Sequence, residues 1–402
     1  MYRIVIIGIL VFSSLGALAQ TKINFAWYDK YTYELYQNKD WDKLIVQSNK
    51  AIKAGHDFYY LRMRIGIAYY TKGQYRASIP HFTKALEYND SDPLTAEYLF
   101  FAYKFSGRSM DANLIYAKYK KQLKSREIPE LTGFITSIYS EGGIKVISPS
   151  NDNYGTLNYI HAGVQQQLGS RINLYHGYMR ISQNIYNYES INNPGFRPPT
   201  NVSTKFKYAQ DEYYLKAIIP LTLGVQLIGS LHTQAITDSI SYNNFAYTAG
   251  INASFKLVDL YVAYGSADIK STLQQQFTGG LTIYPAKNQN FYLRSALIYH
   301  LDENLGNMVF YQKIGLRTGE NTWLEMYGSF GDMKNVQELD GFYQYNINNH
   351  LIRRIGFTGI FGLSPKAKLF VGYTSENYEE IDTLLPYKQH YLFAGLQINI
   401  KN

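Results

Sequence analysis

Along this chain the spacing of hydrophobic positions changes once. From about residue 25 to 126, apolar and aromatic residues recur three and four apart, the spacing that puts them on one face of a helix. Beyond Pro129 the period becomes two. Leu221, Leu223, Val225, Leu227 and Leu231 interleave with Thr222, Gly224, Gln226, Ser230 and His232. Near the end Leu392, Ala394, Leu396 and Ile398 interleave with Phe393, Gly395, Gln397 and Asn399. Strict alternation is the signature of strands with unlike faces, and about 14 such stretches fit between residues 134 and 401. The pattern therefore predicts an α-helical segment followed by an antiparallel β-segment at 133–402.

The helical segment repeats. Tyr69 and Tyr103 stand 34 apart, as do Gly73 and Gly107, Ser78 and Ala112, and Phe82 and Tyr116; stepping back from Tyr75 and Ala85 gives Trp41 and Ala51. The clearest copy runs from Ile65 through Gly66, Ala68, Tyr69 and Gly73 to Tyr75, Phe82, Ala85 and Leu86. In the first copy Lys39 takes the place of the turn glycine. With this period and these small residues, 25–126 resembles about three tetratricopeptide repeats, each a pair of antiparallel helices. In that family the first helix of each pair lines a concave groove. Carried over, the groove would present Tyr33, Tyr36, Tyr60, Tyr70, Phe101 and Phe105 to a protein or polysaccharide partner. The same aromatics could instead pack inward, since three repeats make only a short groove.

Two features bear on where the β-segment sits. Residues 1–19 have Arg3, an apolar run from Ile4 to Phe12, and the small-residue ending Ala17-Leu18-Ala19, the layout of a cleaved secretory signal peptide. Connections between the strands alternate between tight ones, such as Gly169-Ser170 and Ser364-Pro365, and mostly longer ones at 187–204, 236–244, 331–350 and 377–388. Short and long connections on opposite sides, with an even strand number, are expected of a transmembrane barrel in the outer membrane, where the short turns face the periplasm. Phe342 to Asn348 could be drawn as a fifteenth strand, but an odd number would break that alternation. It is therefore assigned to an external extension. A soluble β-sandwich would show the same alternation but not the leader or the loop pattern.

Composition sharpens this picture. The chain of 402 residues holds 40 Tyr and no Cys, which excludes disulfides, thiolate metal sites and a cysteine nucleophile and suits the aromatic girdles of a barrel. The net charge of +8 is spread without a basic reader motif, so no nucleic-acid partner is expected. The eight histidines form no metal-binding pair at helical spacing and no local Ser/His/Asp set. No catalytic residue, metal or cofactor is assigned, and an enzyme is not expected. The inward phase places Arg180, Lys216, Arg294, Lys313 and Arg354 in the lumen with Glu212 and Glu325. Such mixed charge either pairs to brace the barrel or favours anionic solutes.

A repeat arm joined to an outer-membrane barrel resembles the export porins of exopolysaccharide systems and the smaller YaiO-type barrels. The richness in Tyr, Asn, Lys and Ile resembles Bacteroidetes outer-membrane proteins. The resemblance implies a conduit for envelope export, with a periplasmic arm that docks a partner or polymer. The alternative it leaves is a non-conducting anchor that scaffolds a secretion or motility machine.

Overall fold

The computed structural model describes residues 24–126, 134–149, 154–191, 200–237, 241–302, 305–346, 349–381 and 384–400; the leader expected at 1–19 lies outside them. Seven helices come first: α1 Phe25–Gln37, α2 Trp41–Lys53, α3 Tyr59–Thr71, α4 Tyr75–Tyr88, α5 Pro93–Phe105, α6 Ser109–Lys118 and α7 Lys120–Ser125. The first helices of the pairs begin at residues 25, 59 and 93 and the second at 41, 75 and 109, so the 34-residue period is carried by the backbone itself. The Asn24, Asp40 and Asp92 side chains cap α1, α2 and α5 by accepting from N–H groups of the first turn. Between paired helices the chain turns through a left-handed residue: Gly73 (φ +69°) and Gly107 (φ +77°) in two copies and Lys39 (φ 57°) in the first. At Lys39 the same backbone conformation is held by a lysine, which bears its steric cost.

Where α3 crosses α4, Gly66 lets Phe82 come so close that an added Cβ would lie 2.5–2.9 Å from three of its ring atoms. Phe82, Ala85, Leu99, Ala102 and Leu123 build one continuous core through the second and third pairs. Tyr28, Ala51, Leu61, Ile65 and Ala77 continue it into the first.

The remaining strands are β1 Ile135–Ser148, β2 Leu157–Leu168, β3 Ile172–Ile191, β4 Thr200–Thr222, β5 Val225–Thr237, β6 Tyr242–Ser254, β7 Val258–Ile269, β8 Thr272–Ile283, β9 Phe291–Asp302, β10 Leu305–Gly319, β11 Thr322–Phe330, β12 Gln337–Glu338, β13 Tyr343–Gln344, β14 His350–Gly362, β15 Ala367–Glu379 and β16 Pro386–Asn399. All but β12 and β13 form a closed antiparallel barrel of 14 strands, sealed where β1 pairs with β16 from Ser137↔Asn399 to Ser148↔Lys388. Its faces invert the usual arrangement. Ile160, Leu231, Val262, Leu297 and Phe357 stand exposed on the outside, while Gln210, His232, Gln276, Ser329 and Glu376 are buried within. No described helix is long and apolar enough to cross a membrane.

The helices are fixed to one rim of the barrel. Arg76, on α4 and 1 % exposed, donates to the carbonyl oxygens of Phe255 (2.9 Å) and Lys256 (3.3 Å), pairs with Asp259, and lies 3.9 Å over the Tyr284 ring. Its backbone N–H donates to Lys287 O (3.0 Å), and Asn288 Nδ2 donates to Gly73 O (3.0 Å). A second contact seats Asp111 of α6, buried and paired with Arg108, on the backbone N–H of Gly224 (2.8 Å). These contacts involve the β4–β5, β6–β7 and β8–β9 turns, on the rim where β1 begins.

Candidate functional site

The lumen is where this chain gathers its polar chemistry. The 331–350 segment is expected as an external loop with an extension at Phe342–Asn348, whose last two residues lie outside the described ones; residues 331–346 instead fold back into the barrel from the rim opposite the helices. Within it β12 and β13 pair as Gln337↔Gln344 and Glu338↔Tyr343. The physical reason is the polar wall: a hairpin of glutamine, glutamate and aspartate finds donors and acceptors for most of its groups inside this barrel. Its base is apolar, with Met333, Val336 and Leu351 buried against Ile298, Val309 and Tyr378.

Further in, contacts become polar. Gln276 donates to Gln337 O (2.9 Å) and accepts from Gln337 N–H (3.0 Å), continuing a strand-like ladder with one side chain. Thr248 donates to the Gln337 amide oxygen (2.7 Å), and Gln234 donates to Gln344 O (2.9 Å). At the tip, Leu339 and Asp340 both take left-handed backbone (φ 52° and 60°), followed by Gly341 (φ 77°). Conformations of this kind cost non-glycine residues of order 1 kcal/mol or more each and persist only under external restraint. The restraints are named easily. Tyr214 and Ser230 hydroxyls donate to Asp340 O, Lys216 pairs with the Asp340 carboxylate, and His232 Nδ1 meets Gly341 O at 2.8 Å. Since a carbonyl only accepts, that nitrogen carries the proton; the other ring nitrogen lies 2.8 Å from Glu212 Oε2.

Of the residues expected in the lumen, Lys216, Arg294, Lys313, Arg354, Glu212 and Glu325 do point inward. Lys313 and Glu325 pair at 2.8 Å. Arg354 is buried, pairs with Glu338 at 3.0 Å and Glu376 at 3.5 Å, and stacks 4.6 Å from the Tyr343 ring centre. Arg180 is a correction: it faces outward and pairs with Asp211 (2.9 Å) on the barrel exterior, in phase with exposed Tyr178. Both phases of β3 mix aromatic, apolar and polar residues here, and Met179, 2 % exposed, took the inner side. The residues that hold the hairpin tip, Tyr214, Ser230, His232 and Asp340, carry no spacing signal of their own. The inward phase of β4 and β5 marks the first three, and only the fold brings Asp340 to them.

The six aromatics expected to line the helical groove divide. Tyr70 of α3 meets Tyr98 (5.1 Å between ring centres) and Phe105 (6.3 Å) of α5, and Phe101 stacks on Phe105 (5.6 Å). Tyr75 of α4 joins this cluster, 5.2 Å from Tyr70. Burial, with Tyr75 and Tyr98 close by, raises the Tyr70 phenol above its ordinary pKa. Tyr36 packs on Trp41 (5.9 Å), and Tyr33 lies beneath the Arg64 guanidinium (5.1 Å). Tyr60 is the most open, 64 % exposed and edge-on to Tyr59. The structure therefore joins Tyr70, Phe101 and Phe105 in one patch with an exposed edge at Phe105, and leaves Tyr33, Tyr36 and Tyr60 outside it.

No family model matches the chain, and no curated protein matches it. Among solved structures, a deltaS2S3 mutant of the TodX monoaromatic hydrocarbon channel is similar over 68 % of this chain and 92 % of its own, at 8 % identity and a TM-score of 0.47. The toluene transporter TodX of P. putida is similar over 69 % and 92 %, at 8 % identity and a TM-score of 0.44. MamA MSR-1 C2 is similar over 28 % of this chain and 63 % of its own, at 18 % identity and a TM-score of 0.24. Likenesses this distant add nothing to the fold that the strand pairing already shows.

Proposed function

We propose that this protein is an outer-membrane conduit in its closed state, with residues 25–126 lying on the periplasmic side to dock a protein or polysaccharide partner and the 331–346 hairpin as its gate. Support for the membrane comes from the inverted barrel, apolar outside and polar within, which is stable where the outer surface meets hydrocarbon. The observation that carries the gate is the hairpin's construction. Its base is fixed by an apolar cluster, whereas its tip is held in left-handed backbone by hydrogen bonds and the Lys216–Asp340 pair. A tip restrained by polar contacts can exchange them for water, which an apolar plug cannot do at comparable cost.

The rigid seating of the helices through buried Arg76 and Asp111 favours a second reading, a non-conducting anchor that presents the repeats at a set geometry. Planar-bilayer recordings on the purified full chain separate the two. The natural chain is expected to stay shut, and deletion of 337–344, with folding checked by heat-modifiable migration, is expected to give steady conductance. A folded deletion variant that never conducts refutes the conduit and leaves the anchor.

A further inference from the structure

Where the helices meet the barrel rim, three arginines each have an aspartate: Arg62 pairs with Asp57 (2.6 Å), Arg76 with Asp259 and Arg108 with Asp111 (2.7 Å). Two lysines of the rim have no such partner. Lys256, in the β6–β7 turn, and Lys287, in the β8–β9 turn, bring their ammonium groups to 5.7 and 5.5 Å from the centre of one buried ring, that of Tyr69 on α3. His81 stacks on the same ring (5.5 Å), accepts at Nδ1 from Arg62 (3.3 Å) and is uncharged at neutral pH. Lys287 also donates to Gln74 Oε1 (3.3 Å), but neither lysine forms an ion pair with a described residue. A ring and an amide supply no counter-charge. Burial, and then the charge of Lys287, push the Lys256 ammonium below its ordinary pKa. Two like charges held over one ring are a standing cost, and an anion between them removes it.

The surroundings narrow the class of anion. Lys256 stands between Phe255 and Leu257, both exposed, and the outward positions nearest the turn, Leu260, Leu281 and Ile283, are exposed as well. Val258 pairs with Ile283 and Leu260 with Leu281, so the apolar outer band of the barrel reaches these turns, and exposed Pro285 and Ala286 carry it to Lys287. Cations at the edge of a hydrocarbon-facing band stand at the height of the lipid headgroups. We infer that Lys256 and Lys287 hold the phosphate of an anionic phospholipid of the periplasmic leaflet, whose acyl chains lie along Leu257, Leu260 and Leu281. The inference rests on the reading that places the helices on the periplasmic side of an outer-membrane barrel, and adds to it a lipid ligand. Lys287 O accepts from the Arg76 N–H (3.0 Å), so the bound headgroup braces the seat of the helices.

Native mass spectrometry of the purified full chain, released from dodecyl maltoside micelles, tests the site by counting bound lipid. The probes are dioleoylphosphatidylglycerol, dioleoylphosphatidylcholine and inorganic phosphate. One phosphatidylglycerol is expected to bind more tightly than any that follow and more tightly than phosphatidylcholine, whose choline cancels the charge. Lys256→Gln and Lys287→Gln should each weaken it about fivefold, and together about 25-fold. Lys256→Arg should keep the affinity, and so should Lys366→Gln, which removes an exposed lysine from the β14–β15 turn of the same rim. Heat-modifiable migration confirms that each variant barrel is folded; if a glutamine variant does not fold, Lys366→Gln and the three probes on the natural chain decide. Phosphatidylcholine binding as tightly overturns the role of charge, and Lys366→Gln weakening the lipid as much as Lys256→Gln overturns the site. Inorganic phosphate displacing the lipid at millimolar concentration overturns the lipid as its ligand. Surface proteolysis of intact cells, which should spare the helices, tests the placement separately, and conductance tests the conduit. A conducting hairpin-deletion variant beside a chain with no preference for phosphatidylglycerol sinks the site and spares the conduit; a clear preference beside a deletion variant that never conducts does the reverse.

Discussion

Arg76→Met is the sharpest test of how the helices are held. The side chain is 1 % exposed and supplies donors to Phe255 O and Lys256 O, a partner for Asp259, and a cation 3.9 Å above Tyr284. Methionine keeps much of the stem's volume and removes all of these. What remains is Asp259, whose carboxylate is 14 % exposed and keeps only the Tyr284 hydroxyl at 2.8 Å, together with two turn carbonyls short of a donor. Breaking one side of a buried pair costs about 3–5 kcal/mol. Taking the lower end, because Tyr284 stays with the carboxylate, about 3 kcal/mol shifts the docked-to-undocked ratio roughly 150-fold. The chain has no cysteine, so two can be introduced at will. Spin labels at Tyr60→Cys and Glu320→Cys, both exposed, report helix-to-barrel distance. The natural background is expected to give one narrow distribution and Arg76→Met a broad one. Adding Asp259→Leu should recover much of the loss, because removing both buried partners is far less costly than removing one. A narrow distribution in Arg76→Met, or effects of the two substitutions that simply add, would refute the reasoning.

Three further expectations concern the helices and are read from thermal melts followed by the helical circular-dichroism signal. His81 is pushed down to about 3 by burial first, then by Arg62 and Lys256. The folded state therefore refuses a proton that the unfolded chain accepts, so stability is whole above the ordinary histidine pKa of 6.5 and is lost as pH falls from there towards 3. At pH 5 the loss is about 2 kcal/mol, and His81→Gln should narrow the gap between melts at pH 7.5 and pH 5; an unchanged gap rules the histidine out. Lys39→Gly, which relieves a left-handed lysine at φ 57°, should stabilise by about 1 kcal/mol, and a lower melting temperature would contradict the strain argument. Gly66→Ala should cost about 1–2 kcal/mol even after its gain in helix propensity, because Phe82 is fully buried and cannot retreat. A melt at the natural temperature would mean that the ring yields.

How far these features can be read from the chain depends on whether the environment announces itself locally. The strands were legible because an apolar outer face and a polar inner face impose period two on every one of them. The helices were legible because α1, α3 and α5 restart every 34 residues. Arg180 misled because Tyr178 and Met179 are both apolar, leaving the phase of β3 open at that point. The hairpin was not legible for a deeper reason. Inside this barrel the buried environment is polar, so a segment rich in Gln, Glu and Asp is well suited to burial and yet resembles a solvated loop. Arg76 hid in the same way: on α4 it has the look of a surface residue, and its partners come from turns about 180 positions later.

The hairpin also constrains the order in which the barrel can be made. Its tip bonds to β4 and β5, with Tyr214 and Asp340 separated by 126 positions, yet it emerges from the chain between β11 and β14. When β11 has just been laid down, the sheet is still an open ribbon with β1 unpaired, and neighbour-to-neighbour bonding alone gives no reason for its two edges to meet. A hairpin that reaches over to the early strands gives the ribbon a chord, completed when β14 and β15 bring Leu351, Arg354 and Tyr378 to its base and before β16 closes the sheet. The closing seam between β16 and β1 would then form on a sheet already bent to size. Weakening the tip with Lys216→Gln is accordingly expected to slow the appearance of the heat-modifiable form during refolding while leaving its final yield intact.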